Sequence, residues 1–176
     1  GIDDTFLEAE WQGAKTHRIA YLGTWTQRKD PVTLVEAASQ LLHSDSGLGF
    51  DLLGCSSQAS LILNQFAPEI RARVCVHPLV SPKQLAAVLS RAKVFVFPSL
   101  YEGFGMATAE AMACGCAAVV TPTGFGGTLD HGVEAMICPF RNPKAIEAAV
   151  RLLLQDDRLR ERMSKVGRTR VSGLTW

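Results

Sequence analysis

Two carboxylates with seven residues between them, Glu102 and Glu110, bracket a glycine-bearing turn in the run Pro98 to Gly115, Pro-Ser-Leu-Tyr-Glu-Gly-Phe-Gly-Met-Ala-Thr-Ala-Glu-Ala-Met-Ala-Cys-Gly. Gly103 and Gly105 flank Phe104, and glycines here permit positive φ and a close approach of backbone to a ligand. The helix formers that follow predict a helix whose first amides, those of Gly105, Met106 and Ala107, lack intrahelical acceptors. With the helix dipole behind them, such amides bind an anion, and a phosphate is the natural guest.

The carboxylates suit a different part of a ligand. A carboxylate accepts hydrogen bonds from hydroxyls, and its two oxygens match two vicinal hydroxyls. Glu110, about one turn into the helix, is expected to tilt back toward the anion site, where a ribose next to a phosphate would meet it. Glu102, ahead of the helix, suits a second set of hydroxyls on the far side of the phosphates. Either glutamate alone is ordinary, since the dipole stabilises acids in a first turn and loop glutamates are usually solvated. Together with the glycines and the strand end they point to a ligand that carries sugar, diphosphate and ribose.

The elements that must position these groups alternate along the chain. Arg18 to Gly23 reads as the first strand, followed by a polar loop in which Asp30 caps a helix starting at Pro31 and running through His43. Leu34, Val35, Ala38, Leu41 and Leu42 supply its apolar stripe. Further strands are expected at Phe50 to Gly54, Val74 to His77, Val94 to Phe97, Ala117 to Thr121 and Ala135 to Cys138. Helices are expected at Ser57 to Phe66 and Pro82 to Ala92, after the central turn, from Asn142-Pro143, and after Asp157. About six short apolar strands separated by helices predict an α/β fold with a doubly wound parallel sheet covered on both faces. In such sheets ligands bind outside the carboxyl ends of the strands, near the point where strand order reverses. Residues 1–13 lack a clear period and read as an incoming linker with an apolar touch at Phe6 and Leu7, leaving residues 14–176 as one domain.

The 176 residues, 47% of them hydrophobic, suit one globular domain with a good-sized core. A formal net charge of +1 excludes a whole-surface field for nucleic acid. The five cysteines are odd in number and lack C-x-x-C spacing, so they read as buried free thiols in a reducing, cytoplasmic setting. No His/Cys/Asp cluster has metal-ligand spacing along the chain, and no metal is expected.

The central run resembles the donor-site signature of retaining glycosyltransferases of the GT-B fold, particularly the large family 4, in which two glutamates separated by seven residues flank a Gly-Phe-Gly loop. Glu102 to Ala111 matches it throughout, and Ala113-Cys114-Gly115 continues it. Other parts agree in order: Leu22-Gly23 followed by Arg28-Lys29, Leu53-Gly54, Val94-Phe95-Val96-Phe97-Pro98-Ser99, and Val119-Val120-Thr121-Pro122. The resemblance covers nearly the whole chain. It implies the Rossmann-like C-terminal lobe of a two-domain enzyme, which binds an NDP-sugar while a missing N-terminal lobe binds most of an acceptor, saccharide or lipid-linked. It further implies that Glu102 contacts the donor sugar hydroxyls and Glu110 the ribose. The amides of Gly103, Phe104, Gly105, Met106 and Ala107 would then hold sugar and phosphates. Lys29 would neutralise the diphosphate and stabilise charge on the departing nucleoside diphosphate without a metal. The family usually has arginine directly after the first-strand glycine. Here Thr24 follows Gly23, and Arg28, beside Lys29, stands in a place to compensate.

Other functions share part of this pattern. A GT-B epimerase of NDP-sugars shares the diphosphate site, and a non-catalytic nucleotide- or sugar-binding module shares the fold. A dinucleotide-binding domain lacks its signature, because Thr24-Trp25-Thr26 follows Gly23 where G-x-G-x-x-G would be needed. Asp130-His131 reads as turn material, and His77 as a packed strand end. The basic residues Arg158, Arg160, Arg162, Lys165, Arg168 and Arg170 read as a solvated helix face, or else as a peripheral contact with an anionic membrane surface.

Overall fold

The computed structural model describes residues 2–9, 15–78 and 81–174. Its centre is a parallel six-stranded sheet: β1 (Thr16–Leu22), β2 (Gly49–Leu53), β3 (Val74–Val76), β4 (Ala92–Phe97), β5 (Ala117–Val120) and β6 (Met136–Ile137), in spatial order β3-β2-β1-β4-β5-β6. Val94 to Phe97 and all four residues of β5 are buried in succession. Successive strand residues point to opposite faces, so both faces of the middle of the sheet are covered. The expected α/β architecture is the observed one.

The helices are α1 (Asp4–Leu7), α2 (Pro31–Ser44), α3 (Ala59–Leu63), α4 (Pro68–Arg71), α5 (Pro82–Arg91), α6 (Met106–Ala113), α7 (Pro143–Gln155) and α8 (Asp157–Ser172). Their starts follow local chemistry. The Asp30 carboxylate accepts from Thr33 N at 3.3 Å, Asn142 from Ala145 N at 3.0 Å and Asp156 from Leu159 N at 2.9 Å, with Pro31 and Pro143 in the first turn, where no amide is needed. α2 lies against α7, and α6 against α8.

Two stretches differ from expectation. Ser57 to Phe66 is not one helix: a 3-10 turn over Ser56–Gln58 leads into the short α3, and Pro68, which cannot continue a helix, opens α4. Part of the stretch read as linker is the helical turn α1, where Asp3 accepts from Thr5 N at 2.8 Å and Ile2 and Phe6 are buried in the core. Residues 1 and 10–13 of that stretch lie outside the described residues. Among the described residues, no helix is long and apolar enough to cross a membrane.

Candidate functional site

Strand order reverses between β1 and β4, because the chain builds β1 to β3 on one side and β4 to β6 on the other. The two loops that leave these strands at their carboxyl ends are tied together. Leu100 N donates to Arg28 O at 2.8 Å, and Arg28 Nη1 donates to Tyr101 O at 2.9 Å. The crevice outside the sheet is therefore framed by Gly23 to Lys29 on one side and Pro98 to Gly105 on the other.

Within that frame Glu102 is gripped through one oxygen. Lys29 Nζ donates to Oε1 at 2.6 Å, Ser99 Oγ at 2.5 Å and Arg28 Nη1 at 3.0 Å. Lys29 also lies 4.5 Å from the centroid of the Phe97 ring. Burial works to raise the Glu102 carboxyl, but the hydrogen bonds from Lys29 and Ser99 and the nearby positive charges outweigh it and hold the group below its ordinary value. Oε2 has no donor among the described residues and still touches solvent. An ionised carboxylate is thus fixed in place with one oxygen left for an incoming hydroxyl.

Beside it, α6 begins at Gly105, whose φ of 92° suits glycine and which places no side-chain cap on the helix. The amides of Gly103, Phe104, Gly105, Met106 and Ala107 have no acceptor among the described residues. The turn is braced from behind by the loop after β5. Thr123 Oγ1 accepts from Glu102 N at 3.0 Å, Phe125 N donates to Phe104 O at 2.5 Å, and the rings of Phe104 and Phe125 stack at 5.4 Å. Gly124, at φ 54°, is where the two loops touch: a Cβ there would sit 2.5 Å from Phe104 O and 2.8 Å from Glu102 Cβ. A hollow of ≈ 400 Å³ opens next to Gly103 and Phe104, with Thr128 and Arg170 among its other walls.

Glu110 lies one turn into α6, half-buried, its carboxylate with no hydrogen-bond or ion-pair partner among the described residues. Burial, and then the negative charge of Asp3, raise its carboxyl above the ordinary value. The structure therefore joins Arg28, Lys29 and Glu102 in one bonded cluster and leaves Glu110 outside it, on the helix whose amides are open. Thr24 is exposed, and its carbonyl accepts from Tyr21 Oη at 2.9 Å, which sets the bend after β1.

Sequence reasoning assigned no role to Ser99 or Thr123. Ser99 is fully buried, and Thr121 Oγ1 holds its carbonyl at 2.5 Å. The only signal was position: a hydroxyl residue two past the end of an apolar strand. Lys29, expected to face a diphosphate, spends one of its three donors on Glu102.

Away from the crevice, His77 is not simply packed. Its Nε2 lies 2.8 Å from Asp51 Oδ1, and Arg18 grips the same carboxylate through Nε at 2.6 Å and Nη2 at 2.9 Å. Cys75 is exposed, unlike the buried Cys55, Cys114, Cys116 and Cys138, because it stands on the edge strand. Strand pairing thus assembles an Asp51, Cys75, His77 group that spacing along the chain does not reveal. His131 serves the turn, its Nδ1 accepting from Ile137 N at 3.0 Å. The basic helix is only partly a solvated face. Arg160 is buried and bonded to Leu153 O and Asp157, Arg168 donates to Leu7 O at 2.6 Å, and Arg170 lies 3.5 Å from Glu134.

Residues 6–170 match the family described as Glycosyl transferases group 1. A D-inositol 3-phosphate glycosyltransferase of Corynebacterium jeikeium is 29% identical over 171 residues, covering 92% of this chain and 41% of the relative. Among solved structures, the C-terminal domain of a glycosyl transferase group 1 family protein from Francisella tularensis superposes with a TM-score of 0.84 at 17% identity, over 98% of this chain and 97% of that one. The sucrose-phosphate synthase of Thermosynechococcus elongatus gives a TM-score of 0.78 at 26% identity, over 92% of this chain and 42% of the synthase. This chain therefore spans about two-fifths of the length of the curated relative described.

Proposed function

Because the chain belongs to the glycosyl transferases group 1 family, we propose that it is a donor lobe that binds an NDP-sugar, in an enzyme that transfers a hexosyl group with retention of configuration. The observation that carries the reading is the fixed Glu102 carboxylate, with Oε2 open, next to a row of unpaired amides at the start of α6. The amides and the α6 dipole take the diphosphate. Glu102 Oε2 takes a hydroxyl of the sugar, and Glu110 takes the ribose diol.

As the bond to the sugar breaks, negative charge grows on the departing diphosphate. Arg28, half-exposed at the rim, and the remaining donors of Lys29 are placed to stabilise that charge. Lys29 divides its charge between Glu102 and the leaving group, so the amides and Arg28 carry a larger share than Lys29 alone would suggest. Acceptor binding, and with it turnover, falls to sequence beyond this lobe, and free, mostly buried thiols suit a cytoplasmic setting.

Titration of this chain with UDP, GDP and ADP by calorimetry tests the reading. Binding of at least one of them, weakened by Glu110→Ala, is the expected result. Absence of heat from all three at millimolar concentration overturns it.

A further inference from the structure

On the β2–β3 side of the sheet, three side chains of types that ligate transition metals converge. Asp51 and Cys75 are direct partners across the β2–β3 pairing, and His77 lies two residues beyond Cys75, which returns it to the same face. One donor atom from each, a carboxylate oxygen, a thiol sulfur and an imidazole nitrogen, lie within 4.8 Å of one another. Cys75 is exposed and stands on the edge strand, so the group is open to solvent.

We propose that Asp51, Cys75 and His77 bind a thiophilic divalent ion of the zinc class, with water as the fourth ligand. Sulfur, nitrogen and oxygen donors in a tetrahedral set suit that ion, which draws its ligands to about 3.5 Å from one another. The rearrangement needed is small: Cys75, on the exposed side, turns in, and the imidazole and the carboxylate move apart to admit the ion. On binding, the thiol gives its proton to solvent. The ion takes the position between His77 Nε2 and Asp51 Oδ1, now 2.8 Å apart, and the imidazole carries its proton on the nitrogen facing away from the ion. One thiolate and one carboxylate match the ion's two charges, and the Arg18 guanidinium leaves the cluster with one net positive charge. Arg18, bonded to both oxygens of Asp51, holds the carboxylate in place as an outer partner. This site is independent of the donor crevice and of any reading of its ligand.

Cobalt(II) added to this chain is the probe, followed by the thiolate-to-cobalt absorption band, with zinc then added to displace it. The expected result is a band at micromolar cobalt that zinc removes. Cys75→Ser abolishes it, and His77→Gln weakens binding at least about 10-fold, while circular dichroism reports both variants folded. A wild type without the band, a band that survives Cys75→Ser, or unchanged affinity in His77→Gln would each overturn the site, the last by reducing it to a lone thiol. A readout that needs no variant is the imidazole resonance of His77 in the wild type. It shifts with stoichiometric zinc if the site is real, and an unmoved resonance rejects it.

Discussion

Lys29 and Glu102 meet across the point where strand order reverses, Nζ to Oε1 2.6 Å, and each side chain is less than a tenth exposed, at 9% and 8%. A pair so placed is costly to break from one side only, because the remaining charge stays buried. Lys29→Met is expected to cost about 3 kcal/mol, the low end for buried pairs, since Arg28 and Ser99 still hold Glu102. Adding Glu102→Leu should recover much of the loss. Urea denaturation of the single and double variants measures both, and a single-variant cost under about 1 kcal/mol would show the pair to be effectively solvated.

The two glutamates are expected to separate in binding assays. Glu110→Ala should weaken UDP, GDP or ADP by about tenfold or more, the worth of hydrogen bonds to a charged group. Glu102→Ala should leave the bare nucleotide almost unaffected and reduce the preference among its sugar conjugates. Equal and negligible effects from both variants would refute these roles.

Acid–base titration should set the same residues apart in the apo protein. Glu110 has a native value above its ordinary 4.5, so the folded chain keeps that proton longer than the unfolded chain, and stability falls as pH rises from that ordinary value through the native one. Glu110→Gln removes this slope and should gain on the wild type as pH rises from acid to neutral. Glu102 is shifted the other way, so its contribution is present above its ordinary 4.5 and is lost as pH falls through the native value. Glu102→Gln should therefore lose most at neutral pH and least in acid. Urea midpoints across that range give both slopes, and parallel profiles for the two variants would contradict the assignment.

Gly124→Ala tests the brace behind the donor loop. It forces a positive φ on alanine and drives Cβ against Phe104 O, so a loss of more than about 1 kcal/mol and a weaker nucleotide complex are expected. Gly132→Ala is the control, with φ 76° but nothing within 4 Å of the added atom. It should cost stability without changing nucleotide affinity. If both variants bind nucleotide alike, the brace is irrelevant to the site.

Much of this was legible because it is written locally. The buried run Val94 to Phe97, the cap at Asp30 before Pro31 and the glycines around Phe104 each carry their structural consequence within a few residues. The partner of Lys29 was not legible, because it is decided by which strands become neighbours. The same holds for Cys75, whose exposure depends on β3 lying at the edge, and for Arg160, read as solvated but drawn into the core by the carbonyl of Leu153. Thr123 escaped notice for a related reason: it acts through the backbone of another loop, which no side-chain pattern announces.

The bond between Lys29 and Glu102 spans 73 residues of chain, and the contact of Leu100 with the Arg28 carbonyl closes a loop of similar size. Closing such loops costs chain entropy that the contacts across β1 and β4 must offset. A chain with only its first three strands assembled would carry the lysine without its carboxylate, and one with only the last three would carry the carboxylate held by Ser99 without its cations. If the chain binds nucleotide as proposed, then by mass action the bound nucleotide favours the finished sheet over either half.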